Sequence, residues 1–150
     1  MKITELLSEQ AILIPLGTPD KASCIEAMVD ALAASGCVSD KAAYLEAVKA
    51  REHTGSTGIG FRVAIPHGKS NGVTQAGLAF AKPSKPLDWQ SLDGEPVSAV
   101  FMIAVPEAAA GNEHLQILIA ISRKLIDEQF RSALLAVESK DELIGLLQTI

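Results

Sequence analysis

The run "VSAVFMIAV" at 97–105 is apolar at every position but one, and "AGLAFA" at 76–81 has no polar side chain at all. A strand with one solvated face alternates polar and apolar residues, so these two runs read as strands covered on both faces. That cover comes from helices, and the rest of the chain supplies them. The expected class is therefore α/β, a mixed central β-sheet flanked by helices on both faces, in a single compact domain spanning residues 1–150. Length agrees with one core, and 48% apolar against 21% charged residues places the chain among globular proteins.

The helices announce themselves by period and cap. Thr18 and Pro19 stand where a helix over "GTPDKASCIEAMVDALAASG" would begin, Ile25, Met28, Val29 and Leu32 fall at helical spacing, and Gly36 ends it. Ser39 is placed to cap a second helix through "DKAAYLEAVKARE", with Leu45 and Val48 inward and Arg51 in the last turn. A third opens with Asn112 as its cap and carries His114 in its first turn, with Leu115, Leu118, Ile119, Ile121, Leu125 and Ile126 on a broad apolar face. The capping box Ser139-x-x-Glu142 opens a last helix that buries Leu143, Leu146, Leu147 and Ile150. "AILIPL" at 11–16 reads as a strand, and the polar, proline-rich "KPSKPLDWQSLDGEP" at 82–96 as an exposed connection.

Composition excludes several functions. A net charge of -5 with 4% aromatic residues lacks both the basic footprint and the stacking platform of nucleic-acid binding, and suits a basic protein partner. Cys24 and Cys37 have no metal-like spacing and make no disulfide framework, so they read as thiols in a reducing compartment. No apolar run approaches the length of a membrane span, and the N-terminus lacks a secretory h-region, so the expectation is a soluble, cytoplasmic protein without direct membrane insertion.

The stretch "STGIGFRVAIPHGKS" at 56–70 carries the chemistry. It is not a P-loop: counting back from Gly68-Lys69-Ser70 puts Val63 where the first glycine must stand. Nor is it a dinucleotide fingerprint, since Gly55, Gly58 and Gly60 are wrongly spaced and precede the strand. What survives is His67, expected just past the end of a strand "VAIPHG" that Pro66 stops, with a neutral imidazole competent as a nucleophile near pH 7. Arg51 can offer a planar fork to a phosphoryl group, the glycine loop at 55–60 its backbone N–H groups, and Ser56 and Thr57 their hydroxyls. Ser56, Thr57 and Gly58 are the expected phosphate-binding residues, and His114 sits where a helix start favours an anion. Taken singly, each has a plainer reading as a turn or surface residue. A zinc site built from His53, His67 and His114 has only the histidine count in its favour, with none of the ligand spacings of such sites.

Glu52, six residues, then Ile59-Gly60-Phe61-Arg62-Val63-Ala64-Ile65-Pro66-His67-Gly68 resembles the active-site signature of the fructose/mannitol-type (type 2) enzyme IIA of the bacterial phosphoenolpyruvate-dependent sugar phosphotransferase system. The likeness continues through "REHTGSTGIG" and "SLDGEPVSAVFMIAVPEAAAGNEHLQIL" and covers essentially the whole chain. It implies that His67 takes a phosphoryl group from the phosphocarrier protein HPr and passes it to a cysteine of the enzyme IIB domain. It also implies that His114 helps hold that group and that Arg51 stabilises its charge. No metal, nucleotide or other cofactor is implied, and the membrane enzyme IIC is reached only indirectly. Two successive partners call for a shallow apolar rim, to which Phe61, Ile59 and Val63 are near enough to contribute. The nitrogen-related enzyme IIA, a phosphorylation-dependent regulator, shares the histidine signature and is the alternative.

Overall fold

Every residue from Ala99 to Val105 is at least 98% buried, so one strand runs through the middle of the molecule with no solvent on either side. The computed structural model describes residues 3–108 and 113–150, residues 113 and 114 by backbone alone. After a 3-10 turn at Ile3–Leu6 the order is β1 (Leu7–Leu16), α1 (Lys21–Ala34), α2 (Lys41–Thr54), β2 (Gly58–Gly60), β3 (Val63–Ala64) and β4 (His67–Ser70). Then come β5 (Gly77–Pro83), β6 (Ala99–Pro106), α3 (Glu113–Leu125), α4 (Glu128–Ala136) and α5 (Lys140–Leu147).

The strands form one mixed sheet in the order β1-β5-β6-β3-β2, with β4 also on β6. Pairing is parallel for β1–β5, β3–β6 and β4–β6, and antiparallel for β5–β6 and β2–β3. Alternate residues of β6 feed two separate cores. Val100, Met102 and Ala104 join Met28, Leu32, Tyr44 and Val48 under α1 and α2. Phe101, Ile103 and Val105 join Ile117, Ile121, Leu125, Leu134, Leu143 and Leu147 under α3, α4 and α5. Phe80 meets Phe101 edge-on, ring centroids 5.0 Å apart.

The α/β class with helices on both faces is what the buried runs predict. Local details differ, for local reasons. Asp20, not Thr18, caps α1: its carboxylate accepts from Ser23 N–H at 2.8 Å and Ser23 completes the box. Asp40 caps α2, while the Ser39 hydroxyl donates to Gly72 O at 3.2 Å. In both places two good capping residues stand within two positions of each other, and the carboxylate wins. The Ser139 box forms as expected, its hydroxyl accepting from Glu142 N–H at 3.1 Å.

Two expectations fail more widely. The connection at 82–96 is not wholly exposed, because Leu87 and Trp89 are buried and Leu87 pairs with Val97 just beyond it. A further helix, α4, is capped by Asp127 and puts Phe130 and Leu134, one turn apart, in the core. On α3 the buried stripe is Ile117, Ile121 and Leu125, whereas Leu115 and Ile119, and Ile126 just past its end, stay exposed. The expected cap Asn112 lies outside the described residues. Among the described residues no helix is long and apolar enough to cross a membrane.

Candidate functional site

Pro66 interrupts the strand without ending it. β3 pairs Val63 with Ala99 and Ala64 with Val100, and β4 resumes at the same offset with His67 opposite Ile103 and Gly68 opposite Ala104. Ile103 N–H donates to Pro66 O at 3.1 Å, so the two strands stay bonded at a residue whose own nitrogen has no hydrogen to donate. His67 therefore opens β4, on the sheet, where the expectation put it just past a strand's end. The segment at 55–60 is likewise not all loop, since Gly58–Gly60 forms β2 against β3. β2 pairs with β3 and does not extend along β4, so among the described strands His67 has β6 alone as a neighbour.

Alternation carries through the register. Val63 and Ile65 belong to the core under α3, Ala64 to the core under α1 and α2, and Gly68 again faces α2. His67 thus points to the α3 side, and its ring is half-buried. Residue 114 is in the first turn of α3, three positions before the buried Ile117, so the topology brings His67 and the backbone of His114 to one face of the sheet.

α2 lies on the opposite face and runs against β4. A Cβ on Gly72 would stand 2.5 Å from Asp40 O, and one on Gly68 would stand 3.2 Å from Val48 N and from Ala47 Cβ. Gly72 is required for that approach, and Gly68 leaves little room for a larger residue. The C-terminal turn of α2, with Arg51, consequently comes to the His67 end of β4. Arg51 Nη1 donates to Gly55 O at 2.8 Å and to Thr54 Oγ1 at 3.2 Å, closing the end of its own helix.

One bond of the His67 ring fixes its tautomer. Nδ1 lies 3.0 Å from Ile65 O. A carbonyl oxygen only accepts, so Nδ1 carries the proton and, in the neutral ring, the lone pair sits on Nε2.

The profile of the family described as "Phosphoenolpyruvate-dependent sugar phosphotransferase system, EIIA 2" matches residues 5–150. The chain belongs to this family. The fructose-specific EIIABC component of Bacillus subtilis (strain 168) is 42% identical over 147 residues, 98% of this chain and 23% of that protein. The fructose-specific EIIA component of Haloferax volcanii is 40% identical over 140 residues, 92% of this chain and 90% of that one. This chain thus corresponds to under a quarter of one curated relative and most of the other. Among solved structures, the nitrogen regulatory protein IIA-Ntr from Neisseria meningitidis is similar at a TM-score of 0.87 and 36% identity, covering 97% of this chain and 98% of that one.

Within this EIIA 2 chain the expected phosphate-binding loop has other work. Thr57 is 3% exposed; its hydroxyl donates to Glu52 Oε1 and accepts from Trp89 Nε1 at 3.1 Å. The Ser56 hydroxyl donates to Trp89 O and accepts from Gly58 N–H at 3.0 Å. The hydroxyls of Ser56 and Thr57 and the N–H groups of Thr57 and Gly58 are thus engaged within the loop and with Glu52 and Trp89. Of the expected rim, Val63 is fully buried, Ile59 partly so, and Phe61 is 45% exposed beneath the Arg131 guanidinium, 4.6 Å from its ring centroid.

Sequence reasoning gave no role to the cluster behind the loop. Lys21 Nζ lies 2.9 Å from Glu52 Oε2 and 5.4 Å from the centroid of Trp89, which is wholly buried. The signal was there: a single tryptophan inside a polar connection, and an acid heading the histidine signature. Among the described residues no group of three or more His, Cys, Asp or Glu side chains is arranged to hold a metal ion.

Proposed function

We propose that this chain relays phosphoryl groups during sugar uptake, with His67 accepting from phospho-HPr in the cytoplasm and passing the group to a cysteine of an enzyme IIB domain. The observation that carries this is the His67 Nδ1 bond to Ile65 O, which assigns the lone pair to Nε2. The Nε2 pair forms the new N–P bond as the donor's P–N bond breaks and its electron pair returns to the donor nitrogen. The phosphorylated ring keeps its Nδ1 proton and gains positive charge, which the Ile65 carbonyl dipole stabilises. In the second step a thiolate sulfur attacks phosphorus, and the pair of the breaking P–N bond returns to Nε2.

Such transfer needs positioning and charge stabilisation more than further covalent chemistry. In this reading Arg51 leaves its helix-end carbonyl to meet the phosphoryl oxygens, and His114 helps hold them, while Ser56, Thr57 and Gly58 act on the site only by shaping the loop. The exposed Phe61, Leu115 and Ile119 suit a surface that docks two proteins in turn.

The test is incubation with phosphoenolpyruvate, enzyme I and HPr, followed by intact mass before and after mild acid. The wild type gains one acid-labile phosphate and His67→Ala gains none. No gain by wild type while HPr is phosphorylated sinks the reading. The similarity to the Neisseria protein supports a second reading, a regulator that binds partners according to its phosphorylation state. Deletion that leaves sugar-dependent growth intact while altering partner binding would select it.

A further inference from the structure

In an antiparallel ladder, a hydrogen-bonded pair exchanges two bonds, each residue's N–H donating to the other's carbonyl. Gly58 pairs with Ala64, so the next pair is Thr57 with Ile65. Only half of that exchange is made. Ile65 N–H donates to Thr57 O at 3.0 Å, but Thr57 N–H turns away and donates to Glu52 Oε2 at 3.3 Å. The Ile65 carbonyl left over by this diversion is the one that receives His67 Nδ1–H at 3.0 Å.

We propose that Glu52 is a positioning residue for the nucleophile: by taking the Thr57 N–H it reserves Ile65 O for the imidazole and so selects the Nδ1–H tautomer of His67. The carboxylate is itself held. Lys21 pairs with Oε2, the Thr57 hydroxyl donates to Oε1, and Trp89 Nε1 fixes that hydroxyl from the other side. Without an acceptor at position 52, Thr57 N–H closes the ladder on Ile65 O in competition with the ring. The ring then relaxes toward the Nε2–H form, in which the lone pair is on the wrong nitrogen.

This inference rests on His67 as the nucleophile, but its first readout needs no phosphoryl donor. Imidazole 15N shifts of the unphosphorylated wild type are expected to show Nδ1 protonated, with a coupling across the hydrogen bond from Thr57 15N to the Glu52 carboxylate carbon. An Nε2–H wild type, or a Thr57 coupling to the Ile65 carbonyl instead, overturns the proposal whether or not any variant folds. Glu52→Met fills the volume without an acceptor. It is expected to bring up the Nε2–H signals and to slow phosphoryl acceptance by on the order of tenfold to a hundredfold. Glu52→Gln keeps an acceptor oxygen and is expected to stay within about threefold of wild type and to retain its tautomer. A folded Glu52→Met with the wild-type tautomer and rate overturns the proposal, as does a Glu52→Gln impaired as much as Glu52→Met. A wild type that accepts no phosphoryl group sinks the relay assignment alone and leaves the tautomer result standing.

Discussion

The Tyr44 hydroxyl donates to the carbonyl oxygen of Ile103 at 2.7 Å, and Ile103 is the residue that β4 pairs with His67. One bond therefore ties α2 to the segment of β6 that pairs with β4. Both groups are fully buried, and burial also raises the phenol's pKa well above its ordinary value. Tyr44→Phe is expected to cost about 1–2 kcal/mol in urea denaturation, the range for a buried hydrogen bond. An unchanged denaturation midpoint would show that the bond contributes nothing net.

The turn between β2 and β3 is a two-residue hairpin whose central residues, Phe61 and Arg62, both have positive φ, 58° and 62°. That is the geometry in which glycine is favoured at the second position. Arg62→Gly should remove left-handed strain of about 1–2 kcal/mol, partly offset by the entropy glycine adds to the unfolded chain. The expected result is a gain of roughly 0.5–1 kcal/mol and a melting temperature a few degrees higher. A lower melting temperature would mean that the Arg62 side chain stabilises the fold by more than its backbone costs.

How far the site could be read from the chain depended on the range of the interactions. The buried runs of β5 and β6 are unmistakable, so the class was legible, and the signature that singles out His67 is a local run of sequence. The continuation of the strand through Pro66 was not, because it depends on register with β6, a partner over thirty residues away. Thr57 looked like a phosphate ligand for a similar reason. The groups that occupy its hydroxyl come from Glu52, across the loop, and from Trp89, in a connection whose polarity hides one buried ring. α4 escaped because its two core residues, Phe130 and Leu134, give too short a period to stand out.

Burial pushes the Cys24 thiol up to about 12 from an ordinary 9.0. The native state then keeps its proton while the unfolded chain ionises from about pH 9. This contribution is fully present below pH 9 and is lost as pH rises toward 12, with a slope of at most about 1.4 kcal/mol per pH unit. Tyr44 acts in the same sense above its ordinary value of 10.0. Urea denaturation from pH 8 to about pH 11 should show stability falling with pH, less steeply in Cys24→Ala. Equal slopes would remove Cys24 from the account. Alkylation at pH 7 should leave folded Cys24 untouched.

Arg51 carries a planar fork of which one nitrogen, Nη1, donates to Gly55 O and Thr54 Oγ1. Arg51→Lys preserves the charge and loses the fork, so transfer from phospho-HPr should slow by about tenfold or more while stability changes by about 1 kcal/mol or less. Wild-type transfer rates in Arg51→Lys would show that charge alone suffices, or that Arg51 serves only its helix end.

The central claim is that the backbone presents Nε2 of His67, and not Nδ1, to the phosphoryl donor. The direct measurement is the 15N–31P coupling pattern of the phosphorylated protein labelled at histidine. The account predicts phosphorus bonded to Nε2 of His67, with Nδ1 still protonated against the Ile65 carbonyl. Phosphorus on Nδ1, or on a different histidine, would contradict it.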